Sequence, residues 1–271
     1  MVSHGAIAEP ELIELDVLAA QPSGALVGRA STGALFVACA IDACGQCEIC
    51  RRGGAAVCPT PRERERGARV RVMQRWAVEL ADGLELPVPQ AAAVAGDVAL
   101  AYTLYARTGL GPRDPLAITG ATAVTRFLVE IAVAKGLAPI VITSRPDDAD
   151  WASWLHSKRA VPTALAGVQA ALVAQGLGAR PLRVIATGDA ELAFELAGPR
   201  ATLTLLSPAR GPSPAIPAAL VAREVAVIGV AGPHPDLVTE AAAMCARREI
   251  DLAGGVGDGL TQARVAITSR A

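Results

Sequence analysis

Aromatic side chains are scarce in this chain, three Trp, two Tyr and three Phe among 271 residues. Its core must therefore be packed from Ala, Val, Leu and Ile. Lysine stands only at Lys135 and Lys158, and the remaining cations are arginines, a compositional habit to which we assign no function. A surplus of charge is missing too: 25 Lys+Arg face 26 Asp+Glu, for a net charge of −1. A nucleic-acid binder needs clustered cationic surplus to coat phosphates, so that class is excluded. No apolar run is long enough for a bilayer, because the most apolar stretch, residues 91–106, is short and interrupted by Asp97. The N-terminus carries Glu9, Glu11, Glu14 and Asp16 where an export signal needs a basic start and an apolar run. A soluble, cytoplasmic protein with no membrane partner is expected. Histidine occurs only at His4, His156 and His234. The nucleophile-elbow, phosphate-loop and helical His-x-x-x-His motifs are all lacking.

What is present is a foldable chain. Hydrophobic residues make up 52%, which with the near-zero net charge excludes disorder. The length suits one large domain or two ordinary ones. Four of the six cysteines lie in one run, Cys44-Gly-Gln-Cys47-Glu-Ile-Cys50-Arg-Arg-Gly-Gly-Ala-Ala-Val-Cys58. In a reducing compartment such a cluster reads as a metal site rather than a disulfide set. Four thiolates at close spacing wrap a tetrahedral zinc, with glycines letting the chain turn tightly around it. With every position filled by sulfur, no ligand site is left open, so this zinc is structural. The rival, a cysteine-only iron–sulfur cluster, has a different tail after its third Cys. Cys39 and Cys245 read as small buried hydrophobes.

The pattern changes near residue 105. Before it lie β-like runs at 25–27 and 34–40, the cysteine lobe, and the alternating charges of residues 62–66, read as a solvated loop. A strand over 69–77 and a Pro-flanked segment at 86–89 follow. After 105, apolar strands are expected at 116–119, 139–143, 183–187, 201–206 and 225–230. Helices alternate with them at 124–135, 150–157, 168–175, 190–196 and 235–247. Asp147 and Asp148 read as a capping pair for the helix carrying Trp151. Strands apolar throughout and separated by helices predict an α/β fold with a doubly wound parallel sheet. The glycine-rich run 254–259 reads as a loop, and no internal repeat occurs.

The cysteine lobe, read through Gly53 as Cys-Gly-x-Cys-x-x-Cys-x-x-Gly and followed by this alternating half, resembles the zinc-containing alcohol dehydrogenases of the medium-chain dehydrogenase/reductase superfamily. Residues 92–105 resemble the helix before that family's cofactor domain, and 109–114 its lead-in. Ile118-Thr-Gly120 stands where its dinucleotide fingerprint begins, and Ile185-Ala-Thr-Gly188 resembles its fourth strand and turn. The Cys-Glu-Ile-Cys wording and the C-terminal half echo alicyclic acyl-CoA alcohol dehydrogenases. The resemblance implies a truncated, β-rich GroES-like domain over residues 1–105 with the zinc lobe at 44–58. It further implies a Rossmann-type cofactor domain over 106–232, and a C-terminal helix and strand, 233–271, returning to the first domain. Its metal ligands would be Cys44, Cys47, Cys50 and Cys58. NAD(P) would meet Gly120, Thr122, Thr125, Ser144 and Arg145. Homodimers would form through the last Rossmann strand, alone or within a larger assembly.

Set against that family, several residues depart. Its catalytic zinc takes an N-terminal Cys, a His from Gly-His-Glu, and a third Cys, Asp or Glu. No Cys precedes Cys39, no His stands near the second position, and the third falls near Gly96, with Asp97 one residue off in a register set by Tyr102. A lone carboxylate cannot hold a catalytic zinc. The fingerprint Gly-x-Gly-x-x-Gly is here Gly120-Ala-Thr122-Ala-Val-Thr125. Thr122 puts a branched side chain where the backbone should approach pyrophosphate, and Thr125 is expected to push helix and strand apart. Thr143-Ser144-Arg145 replaces the ribose-binding acid, which favours NADPH over NADH if either binds. Three functions follow. The first is a binding or structural subunit, or a redox-neutral enzyme, that lacks dehydrogenase chemistry and has an unassigned catalytic residue. The second is a zinc-independent NADPH reductase of a small carbonyl, enone or acyl thioester, using Tyr102 or Thr103 as donor. The third is an oligomeric assembly module built on the cysteine lobe and the strand at 225–230.

Overall fold

In a computed structural model, the residues described are 11–21, 25–39, 43–52, 54–60, 67–80, 87–111, 114–142, 148–176, 181–206 and 217–252. They fall into two compact units, one within Met1–Ala99, Pro233–Arg248 and Leu252–Ala271, the other within Leu100–Gly232 and Glu249–Asp251.

The first unit is built on five strands: β1 (Leu12–Ala20), β2 (Leu26–Arg29), β3 (Leu35–Ala38), β4 (Arg69–Met73) and β5 (Ala77–Glu79). All pair antiparallel, in the order β4-β1-β2-β3-β5. Strand β1 lies inside the acidic N-terminal segment, to which the sequence pattern assigns no strand. Leu15 and Ala19 point into the core while Glu14 and Asp16 face solvent. Both acids pair with Arg69 on β4, at 3.2 and 2.9 Å. The single strand expected over 69–77 is broken: Gln74–Trp76 form a 3₁₀ turn that buries Trp76 and starts β5. Helix α1 (Glu48–Arg51) belongs to the cysteine lobe.

A long helical stretch then runs as α2 (Val88–Ala93), a π turn (Val94–Val98) and α3 (Ala99–Thr108). A π turn takes one extra residue, which resets the face on which later side chains fall.

The second unit holds β6 (Leu116–Thr119), α4 (Ala123–Ala134), β7 (Ile140–Ile142), α5 (Ala149–Ser157), β8 (Val161–Thr163) and α6 (Val168–Ala174). It continues with β9 (Arg183–Ala186), α7 (Ala190–Leu196), β10 (Thr202–Leu206), α8 (Ala218–Ala222) and β11 (Ala226–Val230). Every strand pair is parallel and the order is β11-β10-β9-β6-β7-β8. This is the doubly wound Rossmann arrangement, whose order reverses between β6 and β9. Strands β6 and β9 are buried along nearly their whole length, as apolar strands covered on both faces must be. Pro162 removes a ladder donor from β8, which the sheet tolerates because β8 is an edge strand. Asp148 caps α5 by accepting from the Trp151 amide at 3.0 Å, and Asp189 caps α7 through Leu192. Helix α9 (Val238–Ala246) returns to the first unit and packs against the π turn. The run 254–259, the expected C-terminal strand and the charged run 62–66 lie outside the described residues. No helix among the described residues is long and apolar enough to cross a membrane.

Candidate metal centre and nucleotide crevice

The cysteine lobe is shaped by a turn at Gly45, whose φ of +75° favours glycine. A side chain at Gly45 would also meet Arg75 at 2.7 Å and Met73 at 3.0 Å. Arg75 donates to the Gly45 carbonyl at 2.9 Å and lies 4.6 Å over the Trp76 ring, so the break between β4 and β5 holds the lobe in place. The sulfurs of Cys44, Cys47, Cys50 and Cys58 all lie within 4.8 Å of one another. Cys44 and Cys50 are 3.9 Å apart, as are Cys47 and Cys58. A tetrahedral zinc with Zn–S bonds of about 2.3 Å demands S···S edges of about 3.8 Å, so the four residues fit that ion.

Backbone amides support the sulfurs. Cys44 N donates to Cys58 Sγ at 3.3 Å, Cys47 N to Cys44 Sγ at 3.3 Å, and Cys50 N to Cys47 Sγ at 3.4 Å. The Thr60 hydroxyl and the Gln46 and Cys47 amides pull the Cys44 thiol down to about 5. Burial, aided by the Cys47 sulfur, pushes Cys50 up to about 12. Four sulfurs this close cannot all ionise without a cation between them. Cys39 and Cys245, buried and outside the cluster, behave as the expected small hydrophobes.

The second candidate lies at the carboxyl ends of β6 and β9, flanking the point where strand order reverses. Gly120 adopts φ +114°, and a side chain there would stand 2.6 Å from Thr187 Oγ1 and 3.0 Å from Gly188 N. Glycine is required at this first fingerprint position. Thr122 is the N-cap of α4 and forms a reciprocal capping box: Thr125 N donates to Thr122 Oγ1 at 3.2 Å and Thr122 N to Thr125 Oγ1 at 3.0 Å.

Thr125, whose branching is expected to crowd helix against strand, also makes a polar contact between them. It is fully buried, and its hydroxyl lies 2.7 Å from that of Thr187 after β9, tying α4 to the sheet. The proton inventory is then determined, because each hydroxyl has one proton. Thr187 donates to the Thr119 carbonyl at 2.9 Å, so Thr125 donates to Thr187. Thr122, 3.2 Å from Thr125, donates to it in turn. Thr119 donates to the Asp189 carbonyl at 2.7 Å. All four hydroxyl protons are thus spent on the protein. Thr187 is the member of this chain that the fingerprint alone does not reveal; its signal is a hydroxyl residue directly after a buried strand. Ser144 and Arg145 lie outside the described residues.

The remaining sequence candidates are dispersed. Asp97 is buried in the π turn and accepts from Gln21 Nε2 at 3.3 Å. Tyr102 stacks on Tyr105, with centroids 6.1 Å apart, and Lys135 lies 5.7 Å from its ring. Thr103 is buried. His156 is exposed on α5, and His234, next to Asp236, precedes a 3₁₀ turn.

No protein-family model matches the sequence. No curated protein matches it. Solved structures do. An alcohol dehydrogenase from Thermus sp. ATN1 superposes with a TM-score of 0.72 at 18% identity, covering 93% of this chain and 86% of its own. A cobalt- and zinc-bound thermostable alcohol dehydrogenase from Pyrobaculum aerophilum gives 0.71 at 17%, covering 89% and 82%. A short chain alcohol dehydrogenase from E. coli CFT073, complexed with NADH, gives 0.70 at 14%, covering 89% and 82%. The fold is therefore that of these alcohol dehydrogenases, with a GroES-like sheet and a Rossmann sheet.

Proposed function

We propose that this chain holds a structural zinc at Cys44, Cys47, Cys50 and Cys58 and works outside conventional dehydrogenase chemistry, as a binding or structural subunit or in a redox-neutral step. The observation that carries this reading is the threonine chain at the switch point. A pyrophosphate on a Rossmann fold is bound by donors at the N-terminus of the first helix. Here the amides of Thr122 and Thr125 are taken by each other's hydroxyls, and those hydroxyls direct their protons inward. A dinucleotide would have to break this network. Titration with NADPH and NADH, followed by nucleotide fluorescence, tests the reading: no saturable binding at millimolar concentrations is expected. Tight binding of NADPH would instead favour the reductase, with Ser144 and Arg145 reading the 2′-phosphate.

We further infer a homodimer through β11. This strand is an outer strand of its sheet, with Ala226 and Gly229 exposed and Val227 and Ile228 half-buried, and such an edge calls for cover. Size-exclusion chromatography with light scattering should return a dimer, and a monomer would contradict it. Six cysteines without a disulfide suit the reducing cytoplasm, where we place the protein.

A further inference from the structure

We propose that Gln21, Gly96 and Asp97 form a buried amide–carboxylate lock that fills the position of the fold's catalytic metal, leaving the cysteine lobe as the one zinc site among the described residues. The inference rests on the proposed function only in assigning that zinc to the four cysteines.

The lock starts where β1 ends. Gln21 follows Ala20, and its amide donates to the Ala25 carbonyl at 2.7 Å, closing the turn into β2. That turn aims the Gln21 side chain inward, where it is only 5% exposed. Its Nε2 donates to Asp97 Oδ2 at 3.3 Å. Asp97, also 5% exposed, lies in the π turn, whose extra residue brings position 97 to this face. Gly96 supplies the complementary space. A β-carbon there would stand 1.8 Å from Gln21 Oε1 and 2.9 Å from its Cδ, so nothing larger than glycine fits while the amide is in place. Position 96 is where the family resemblance expects the third ligand. The side chain that should have been a ligand is absent, and the amide of another residue occupies its volume.

A single carboxylate, Asp97, stands in the lock, short of the three protein ligands a catalytic zinc needs. The Gln21 atom facing Asp97 is an NH₂, a donor with no lone pair to offer a metal. The Cys39 sulfur donates to the Ala95 carbonyl at 3.2 Å, which directs its proton into the fold. Among the described residues, the only group of His, Cys, Asp or Glu placed to share a metal is the cysteine quartet. An amide bonded to a carboxylate joins the end of β1 to the helical stretch, a role a metal bridge would otherwise serve.

The test combines metal counting with a paired substitution. Purified protein dialysed against excess zinc and then gel-filtered should carry one zinc per chain by mass spectrometry; two would overturn the lock. Gly96→Ala should lower the melting temperature by at least about 5 °C or abolish folding, because the new methyl overlaps the Gln21 amide. Adding Gln21→Ala should recover most of that loss. A Gly96→Ala protein as stable as wild type, or one that Gln21→Ala leaves unimproved, would contradict the proposal. Nucleotide titration on the same preparation separates the two readings. One zinc with tight nucleotide binding overturns the proposed function alone, and two zincs without nucleotide binding overturn the lock alone.

Discussion

Two glycine-guided turns in this chain gather polar atoms around a point, and they do so to opposite ends. In the cysteine lobe, amides donate into the sulfurs of Cys44, Cys47 and Cys58, and all four sulfurs lie within 4.8 Å of one another. That arrangement is incomplete without a cation. At the switch point, Gly120 brings together Thr119, Thr122, Thr125 and Thr187, and their hydroxyl protons go to one another or to the carbonyls of Thr119 and Asp189. That arrangement is complete without a ligand. The outline of a motif therefore says less about binding than whether its valences are satisfied.

Breaking the incomplete site should have the largest effect. Cys50 is the most buried of the four ligands, and Cys50→Ala should abolish stoichiometric zinc and cost more than about 4 kcal/mol in chemical denaturation. Next comes Gly120→Ala, which adds a clash with Thr187 and the Gly188 backbone to a left-handed conformation. It should cost about 2–4 kcal/mol. Gly136 also has a positive φ but nothing within 4 Å of an added methyl, so Gly136→Ala should cost only about 1 kcal/mol. The difference isolates the threonine network from backbone strain. Thr125→Val removes the buried hydroxyl but keeps its shape, leaving Thr122 N without its acceptor and Thr187 without its donor. A loss of about 1–2 kcal/mol is expected.

The smallest effect concerns Glu130, a buried carboxylate in the parallel unit that is satisfied by partners, as the threonines are. It pairs with Lys158 at 2.5 Å and accepts from Asp251 N at 2.9 Å. Burial nonetheless holds its carboxyl above the usual 4.5, against the pull of Lys158. A raised carboxyl favours the protonated folded state. Its contribution is therefore fully present below about 4.5 and is lost as pH rises through the raised value. The stability of wild type relative to Glu130→Gln should accordingly fall as pH increases from 4 to 7 in denaturation curves. An opposite slope would show that Lys158, not burial, dominates.

Much of the parallel unit was legible in the sequence. The strand at 116–119 and the helix at 190–196 fall where their apolar spacing puts them, because a doubly covered sheet writes burial directly into composition. The spacing of the four cysteines likewise announced a metal-sized cluster. The antiparallel unit was harder to read. The charges of Glu14 and Asp16 hide β1, since one face of that strand is wet and neutralised by Arg69, a residue more than fifty positions away. Pro162 hides β8, because the edge position that excuses it is a property of the sheet. The hydroxyl contact of Thr125 is hidden for a similar reason: its partner Thr187 is 62 residues distant. The Gln21–Asp97 contact spans 76 residues, and its only local trace is the bare Gly96.

The most direct test of the proposed contrast between the cysteine centre and the nucleotide crevice is calorimetric titration of the zinc-loaded protein with NADPH and NADH. The account predicts no saturable heat at millimolar nucleotide while the protein retains its zinc. Saturable binding in the micromolar range by either nucleotide would contradict it.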